Sequence, residues 1–301
     1  MRVGIVGLGR MGSGIAQRLL RGGHEVVGHS RRPEALSALS SEGGEGTTSP
    51  DALIERLTPP RIVWMMVPAG EATESVFQTF RRRLAPGDFL IDGGNAHYKD
   101  SIRRGREAAG SGIRFIDAGV SGGIWGLSEG FSLMLGGRAP DVQALEPLWR
   151  TLAPTPDSGW GRVGETGAGH FVKMVHNGIE YGLMESYAEG FALLDAKHEF
   201  ALDLGAIAAI WQHGSVVRSW LLDLLADALK DRRALDALAP FVEDSGEGRW
   251  TAAESIDLNV SAPVILTALE RRIRSREPDP LVEKLLAALR KEFGGHSTRT
   301  E

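Results

Sequence analysis

Short apolar runs alternate with amphipathic stretches through the first half of the chain. Residues 3–8, 24–29, 61–67, 88–93 and 113–120 read as strands, and residues 11–21, 33–40, 72–83 and 99–109 between them read as helices. Strands that are apolar throughout are covered on both faces, and in a strand–helix alternation that means a parallel sheet with helices above and below it. From about residue 160 the period changes. Residues 164–195, 201–213, 216–229, 252–257, 263–275 and 280–293 all carry a helical pattern, and no strand signal of comparable strength accompanies them. The glycine-rich DSGWGRVG of residues 157–164 marks the junction. Two domains are expected, residues 1–163 and residues 164–301.

Composition narrows the function classes. The absence of cysteine removes disulfides, thiolate nucleophiles, Cys-ligated zinc and iron–sulfur clusters together. Lysine and arginine number 34 against 39 acidic residues, a net charge of −5. Such a chain repels a phosphate backbone as a whole, so no nucleic-acid partner is expected and an anionic ligand needs a local basic pocket. The opening apolar run is too short for a signal peptide and meets glycines, and no later stretch approaches a membrane span. No membrane partner is expected, and the expected location is the cytoplasm.

Gly7, Gly9 and Gly12 form G-x-G-x-x-G between the first strand and the first helix. The first glycine permits the tight turn, the second lets a pyrophosphate approach the backbone, and the third allows close helix–strand packing. The helix N-terminus then offers N–H groups to the anion. The first domain is therefore expected to be an α/β, Rossmann-like unit with a parallel-rich, doubly wound sheet, followed by an all-α C-terminal domain. In such folds an acidic residue commonly closes the second strand and binds the ribose 2′-hydroxyl. Here Ser30, Arg31 and Arg32 stand there instead. A hydroxyl and two guanidiniums suit a 2′-phosphate, which favours NADP, with NAD possible.

At the start of the long helix lies GAGHFVKMVHNGIEYG, residues 167–182. Lys173, His176, Asn177, Glu180 and Tyr181 sit at offsets 0, 3, 4, 7 and 8, which at roughly 100° per residue is one helix face. A solvated face with a Lys–Glu pair would look similar. The four glycines at 167, 169, 178 and 182 argue against it, because each weakens a helix unless something must approach the backbone closely.

These residues, with IDGGNAHY at 91–98 and GVSGGIWG at 119–126, resemble the decarboxylating 6-phosphogluconate dehydrogenases, in a short bacterial form. The resemblance implies oxidation of the carbon-3 hydroxyl of 6-phosphogluconate with hydride transfer to a nicotinamide, then loss of CO2 to give ribulose 5-phosphate, a step of the pentose phosphate pathway. It makes Lys173 the general base and Glu180 the acid that protonates the enediol carbon; two titrating groups with opposed duties are what that sequence of proton transfers needs. Asn95, Ser121, Gly122 and Gly123 correspond to the carboxylate and hydroxyl end of the substrate, His176 and Asn177 to ligands of hydroxyls beside the reacting carbon, and Tyr181 to a phosphate ligand. Arg272 lines up with the phosphate-binding arginine, with Arg271 or Arg274 as alternatives. SGEGRW at 245–250 replaces the long form's K-G-T-G-K-W, so a phosphate-binding lysine falls on Ser245, and Arg249 is a candidate replacement. The expected cofactor residues are Gly7, Leu8, Gly9, Arg10, Met11, Gly12, Ser30, Arg31, Arg32, Val67, Pro68, Ala69 and Asn95.

RKEFGGH at 290–296 has the spacing R-x-x-F-G-x-H and matches the family's terminal motif. The resemblance implies a homodimer or homotetramer in which Arg290 and His296 cross to the neighbouring subunit's phosphate pocket. His24, His29, His97, His198 and His213 show no metal spacing, and no catalytic metal is expected. The rival readings are a β-hydroxyacid dehydrogenase or imine reductase of the same fold, which lack H-N-G-I-E-Y and the tail motif, and a non-catalytic NADP-binding sensor, which would not need Lys173 and Glu180 together.

Overall fold

A computed structural model describes residues 1–278 and 281–294. The first unit contains β1 (Arg2–Val6), α1 (Arg10–Arg21), β2 (Glu25–His29), α2 (Pro33–Ser41), β3 (Glu45–Thr47), α3 (Pro50–Glu55), β4 (Ile62–Met65), α4 (Glu71–Arg81), β5 (Phe89–Asp92), α5 (Tyr98–Gly110) and β6 (Arg114–Ser121). It continues with α6 (Gly126–Glu129), β7 (Ser132–Gly136), α7 (Ala139–Ala144), α8 (Glu146–Leu152) and β8 (Trp160–Gly164). These strands make one eight-stranded sheet in the order β3-β2-β1-β4-β5-β6-β7-β8. Every pairing is parallel except β6 with β7.

The two-residue strand period explains why the central strands are apolar throughout. Ile62, Trp64, Phe89 and Ile91 join one core with Val3, Ile5, Ile15, Leu19 and Trp149. Their neighbours Val63, Met65 and Leu90 join another with Leu53, Phe77, Phe80 and Phe115 on the opposite face. Each face has its own helical cover, so neither can be polar.

The second unit is helical: after the long α9 (Ala168–Ala196) come α10 (Leu204–Trp211), α11 (Trp220–Leu229), α12 (Arg232–Asp236), α13 (Glu247–Asp257), α14 (Pro263–Arg274) and α15 (Leu281–Gly294). Phe191, Ala208, Leu222 and Ala226 form its compact core, with Tyr187 and Trp211 packed against them.

The sheet is larger than the sequence patterns indicate. β3, β7 and β8 were not expected, and β8 occupies the stretch read as a junction. The helix expected over 164–195 begins at Ala168, because Gly164 ends β8 and Gly167 adopts φ +99°. The compact units divide at His176/Asn177, inside α9 and beyond the expected boundary at 163/164. The reason is local: Asp117 in β6 accepts hydrogen bonds from Gly167 N at 2.6 Å and His170 N at 2.9 Å, so the start of α9 belongs to the sheet.

Candidate active site

The turn from β1 to α1 is shaped as a cradle. Gly7 has φ +96°, and a Cβ added there would lie 2.4 Å from Met66 O. At Gly12 an added Cβ would lie 2.0 Å from Gly7 O, so side chains are excluded from both ends of the turn. Gly9 differs: it caps α1 without a side-chain hydrogen bond, is exposed, and a Cβ added there meets nothing within 4 Å. The first turn of α1 also carries no acidic residue. An open glycine at a helix N-terminus without a competing carboxylate fits a dinucleotide pyrophosphate.

The remaining cofactor candidates lie at or after the same ends of β2, β4 and β5, where doubly wound sheets bind ligands. Ser30 is buried, and its Oγ accepts from Arg32 N at 3.1 Å. Arg31 and Arg32 are exposed, and Arg32 Nη2 donates to Leu8 O at 2.6 Å, bracing the glycine turn. Thr73 Oγ1 donates to Pro68 O at 2.7 Å, and a Cβ on Gly94 would lie 2.7 Å from Val67 O, so the β4 and β5 loops are tightly apposed. Arg10, Ala69 and Asn95 are exposed, whereas Leu8 is buried and Met11 half-buried.

Lys173 is set against β6. A Cβ on Gly119 would lie 2.5 Å from Lys173 Cβ and 2.7 Å from Gly169 O, so only glycine there lets α9 approach the strand. Lys173 is 9 % exposed and His176 half-buried. β6 ends at Ser121, followed by Gly122 at φ +129° and Gly123 at φ +54°, a glycine pair whose backbone can turn N–H groups toward an anion. Beneath this arrangement Asp117 is fully buried; burial pushes its carboxyl up, while His170 and the N–H groups of Gly167 and His170 oppose that shift. The His170 Nδ1 lies 2.6 Å from Ser101 Oγ.

In the helical unit, Asn177, Glu180 and Tyr181 continue the same face of α9. Asn177 Nδ2 donates to Glu247 Oε1 at 3.1 Å. Tyr181 is buried, with the Arg272 guanidinium 3.5 Å from its ring centroid. Arg272 also donates from Nη1 to Glu243 O at 3.0 Å. The alternatives point elsewhere: Arg271 Nε donates to Glu185 Oε1 at 3.2 Å, and Arg274 lies 3.6 Å from Glu277. Ser245 is exposed, and Arg249 Nε donates to Asp244, which also faces Arg276 at 3.6 Å. Burial pushes the Asp244 carboxyl up, but the Gly246 N–H, Arg249 and Arg276 outweigh it and hold it below its ordinary value. Arg290 stands in α15, but its side chain, like all of His296, lies outside the described residues. Among the described residues no group of three His, Asp or Glu side chains is arranged to hold a metal ion.

Two family models cover this chain. The NAD binding domain of 6-phosphogluconate dehydrogenase matches residues 2–161, and the 6-phosphogluconate dehydrogenase C-terminal domain matches residues 169–298. The chain belongs to the 6-phosphogluconate dehydrogenase family, whose members are NAD(P)-dependent oxidoreductases. It is 42 % identical over 298 residues to Bacillus subtilis YqeC, which is named provisionally as a 6-phosphogluconate dehydrogenase, covering 99 % of each chain. It is 39 % identical to the NAD(+)-dependent, decarboxylating 6-phosphogluconate dehydrogenase of Haloferax volcanii, covering 98 % of each. The NADP(+)-dependent enzyme of Bacillus subtilis is 35 % identical over 91 % of this chain, which spans 61 % of that longer protein. Among solved structures, Plasmodium falciparum 6-phosphogluconate dehydrogenase matches with a TM-score of 0.84 at 25 % identity, covering 100 % of this chain and 66 % of the other. Mycobacterium tuberculosis 3-hydroxyisobutyrate dehydrogenase matches in fold, with a TM-score of 0.68 at 20 % identity and coverage of 89 % and 91 %.

Two residues of this candidate site escaped the sequence reading. Asp117 anchors the helix that carries Lys173, and Glu247 holds Asn177. Each is an isolated carboxylate whose partner is distant in sequence; only the acid in SGEGRW, where the long form has a threonine, hinted at the second.

Proposed function

We propose that this chain catalyses the oxidative decarboxylation of 6-phosphogluconate to ribulose 5-phosphate and CO2, with NADP as the preferred hydride acceptor, in the pentose phosphate pathway. The observation that carries the reading is α9: a lysine buried against a glycine of β6, followed on the same helix face by His176, Asn177, Glu180 and Tyr181. A solvated helix face does not bury its lysine.

Lys173 takes the proton of the carbon-3 hydroxyl as that carbon is oxidised. Bound NADP supplies the hydride acceptor. The resulting Lys173 ammonium then polarises the new keto oxygen, the adjacent carboxylate leaves as CO2, and Glu180 delivers a proton to the enediol carbon. His176 and Asn177 orient the hydroxyls beside that carbon, while Asn95, Ser121 and the N–H groups of Gly122 and Gly123 hold the carboxylate end. Tyr181 and Arg272 serve the phosphate. Their stacking gives the arginine a fixed plane, which suits fork-like recognition of phosphate.

The preference for NADP rests on Ser30, Arg31 and Arg32 standing where β2 would otherwise end in an acid, and on a division of labour between arginines. Arg32 braces Leu8 O, and the exposed Arg31 is the guanidinium assigned to the 2′-phosphate. Residues 1–163 are assigned the cofactor and the carboxylate end of the substrate, and residues 164–301 the rest of the substrate and a second subunit. Ile179, Leu183, Ile256, Leu258, Val260 and Val264 are exposed apolar residues of the helical unit, and on α15 so are Leu281, Val282, Leu285, Leu286 and Leu289. A helix with an uncovered apolar stripe calls for a partner, and a second copy is the reading offered, with Arg290 and His296 completing its phosphate pocket. Among the described residues no helix is long and apolar enough to cross a membrane; the enzyme is taken to work in the cytoplasm.

Lys173→Met tests the assignment. It is expected to lower kcat by at least about a thousandfold while NADP still binds, the scale of losing a general base and its later role as an acid. Undiminished turnover would overturn it and favour a binding protein whose lysine is structural.

A further inference from the structure

Glu247 opens α13 and is 1 % exposed. Burying a carboxylate is unfavourable unless its oxygens are matched by donors. One is matched, since Oε1 accepts from Asn177 Nδ2 at 3.1 Å. The other, Oε2, is buried with no hydrogen-bond partner among the described residues. A residue kept only to fill this space would be apolar.

Packing fixes where this carboxylate stands. Gly246 enters α13 at φ +104°, outside the range of most side chains. A Cβ on Gly248 would lie 2.3 Å from the Tyr181 ring, and one on Gly178 would lie 2.7 Å from Thr251 Cγ2. Thr251 Oγ1 in turn donates to Glu247 O at 2.8 Å. The start of α13 is thus pressed against α9 at Gly178 and Tyr181, within the turn that follows Asn177, and Glu247 has little freedom to move away.

We propose that Glu247 is a positioning residue that acts through Asn177: its carboxylate dictates which edge of the Asn177 amide meets the substrate. The primary amide of Asn177 has a donor edge and an acceptor edge. A carboxylate can only accept, so it holds the donor edge on its own side and forbids the flipped arrangement. The charge strengthens that bond relative to a neutral acceptor. This rests on the reading above in which Asn177 orients a hydroxyl beside the reacting carbon. The long form's K-G-T-G-K-W places a threonine at the matching position, and a threonine hydroxyl both donates and accepts, so it cannot enforce one orientation.

The test is steady-state kinetics on the full-length enzyme with 6-phosphogluconate and NADP, using Glu247→Gln, Glu247→Ala and each combined with Asn177→Ala. The expected order of kcat/KM for 6-phosphogluconate is wild type above Gln above Ala. The Ala variant should be down about 10- to 100-fold, as small misplacements at a reacting centre cost, and the KM for NADP should be unchanged. In the Asn177→Ala background the Glu247 substitutions should add no more than about twofold, because the residue through which they act is gone. Glu247→Gln is close in volume, so the cycle is decided with it alone if the Ala variant does not fold. Wild-type activity in Glu247→Ala, or losses that simply add in the double variants, overturns the proposal. Failure of the wild-type enzyme to oxidise 6-phosphogluconate overturns the functional reading instead, and this one with it.

Discussion

A Cβ added at Gly9 meets no atom of the protein within 4 Å, whereas one added at Gly119 collides with Lys173 and with the α9 backbone. The two glycines therefore serve different ends. Gly119 is required by the protein's own packing, whereas nothing in the protein's packing requires Gly9, which leaves a bound cofactor as the reading for it. Gly9 has φ −76° and ψ −172°, an extended backbone that alanine adopts without strain. Gly9→Ala is accordingly expected to leave the melting temperature within about 2 °C of wild type while weakening NADP binding at least tenfold, measured by fluorescence titration. Equal affinity would show that the pyrophosphate does not lie over this turn. At this scale spacing singles out candidates, as in Gly7–Gly9–Gly12 and the offsets from Lys173 to Tyr181. It was silent on Asp117 and Glu247, whose meaning lies in the N–H groups of Gly167 and His170 and in the Asn177 amide that folding brings to them.

Between α4 and α5 an ion network ties together the segments that follow β4 and β5. Glu74 accepts from Arg103 at 2.6 Å and from Arg104 at 3.2 Å, and the buried Arg104 reaches Asp92 at the end of β5 at 3.1 Å. The Arg103 bond above all holds the Glu74 carboxyl down at about 2, against an ordinary value of 4.5, with burial opposing and Gln78 and Arg104 assisting. A depressed carboxylate stabilises the fold above its unfolded value and loses that contribution as pH falls toward its folded one. Glu74→Gln is therefore expected to cost about 1 kcal/mol or less at pH 7, solvent screening included, with the gap from wild type closing between roughly pH 4.5 and 2. Urea unfolding across that range checks it; a gap independent of pH would contradict the ion-pair account. The elements the sequence concealed are those with little apolar signal. β3 is a three-residue edge strand, and β8 is a half-exposed edge strand reading WGRVG, whose glycines and arginine resemble a linker. β7 breaks the strand–helix alternation by pairing antiparallel with β6, so the rhythm that revealed the earlier strands does not extend to it.

The net charge of −5 places no bar on an anionic substrate, because the basic residues are gathered where anions are expected: Arg31 and Arg32 after β2, and Arg272 on Tyr181. Among the described residues the helical unit also leaves a set of large apolar side chains exposed. The exposed leucines of α15 stand just before and within the turn that precedes Arg290, so a second copy seated there would bring the tail motif with it. Removing residues 290–301 is expected to raise the KM for 6-phosphogluconate at least tenfold with little change in the KM for NADP, the separation that loss of a phosphate ligand alone produces. Unchanged kinetics would assign the tail no part in the site. The α/β-then-α arrangement was readable from the change in hydrophobic period. That the first turns of α9 pack with the sheet depends on Asp117, a contact that no local pattern carries. The most direct test of the central claim is a single assay in which 6-phosphogluconate is offered with NADP and, separately, with NAD, while reduced cofactor and CO2 are measured together. The account predicts one CO2 per hydride transferred and a higher kcat/KM with NADP. Reduction of cofactor without CO2, or no reduction with either cofactor, would contradict it.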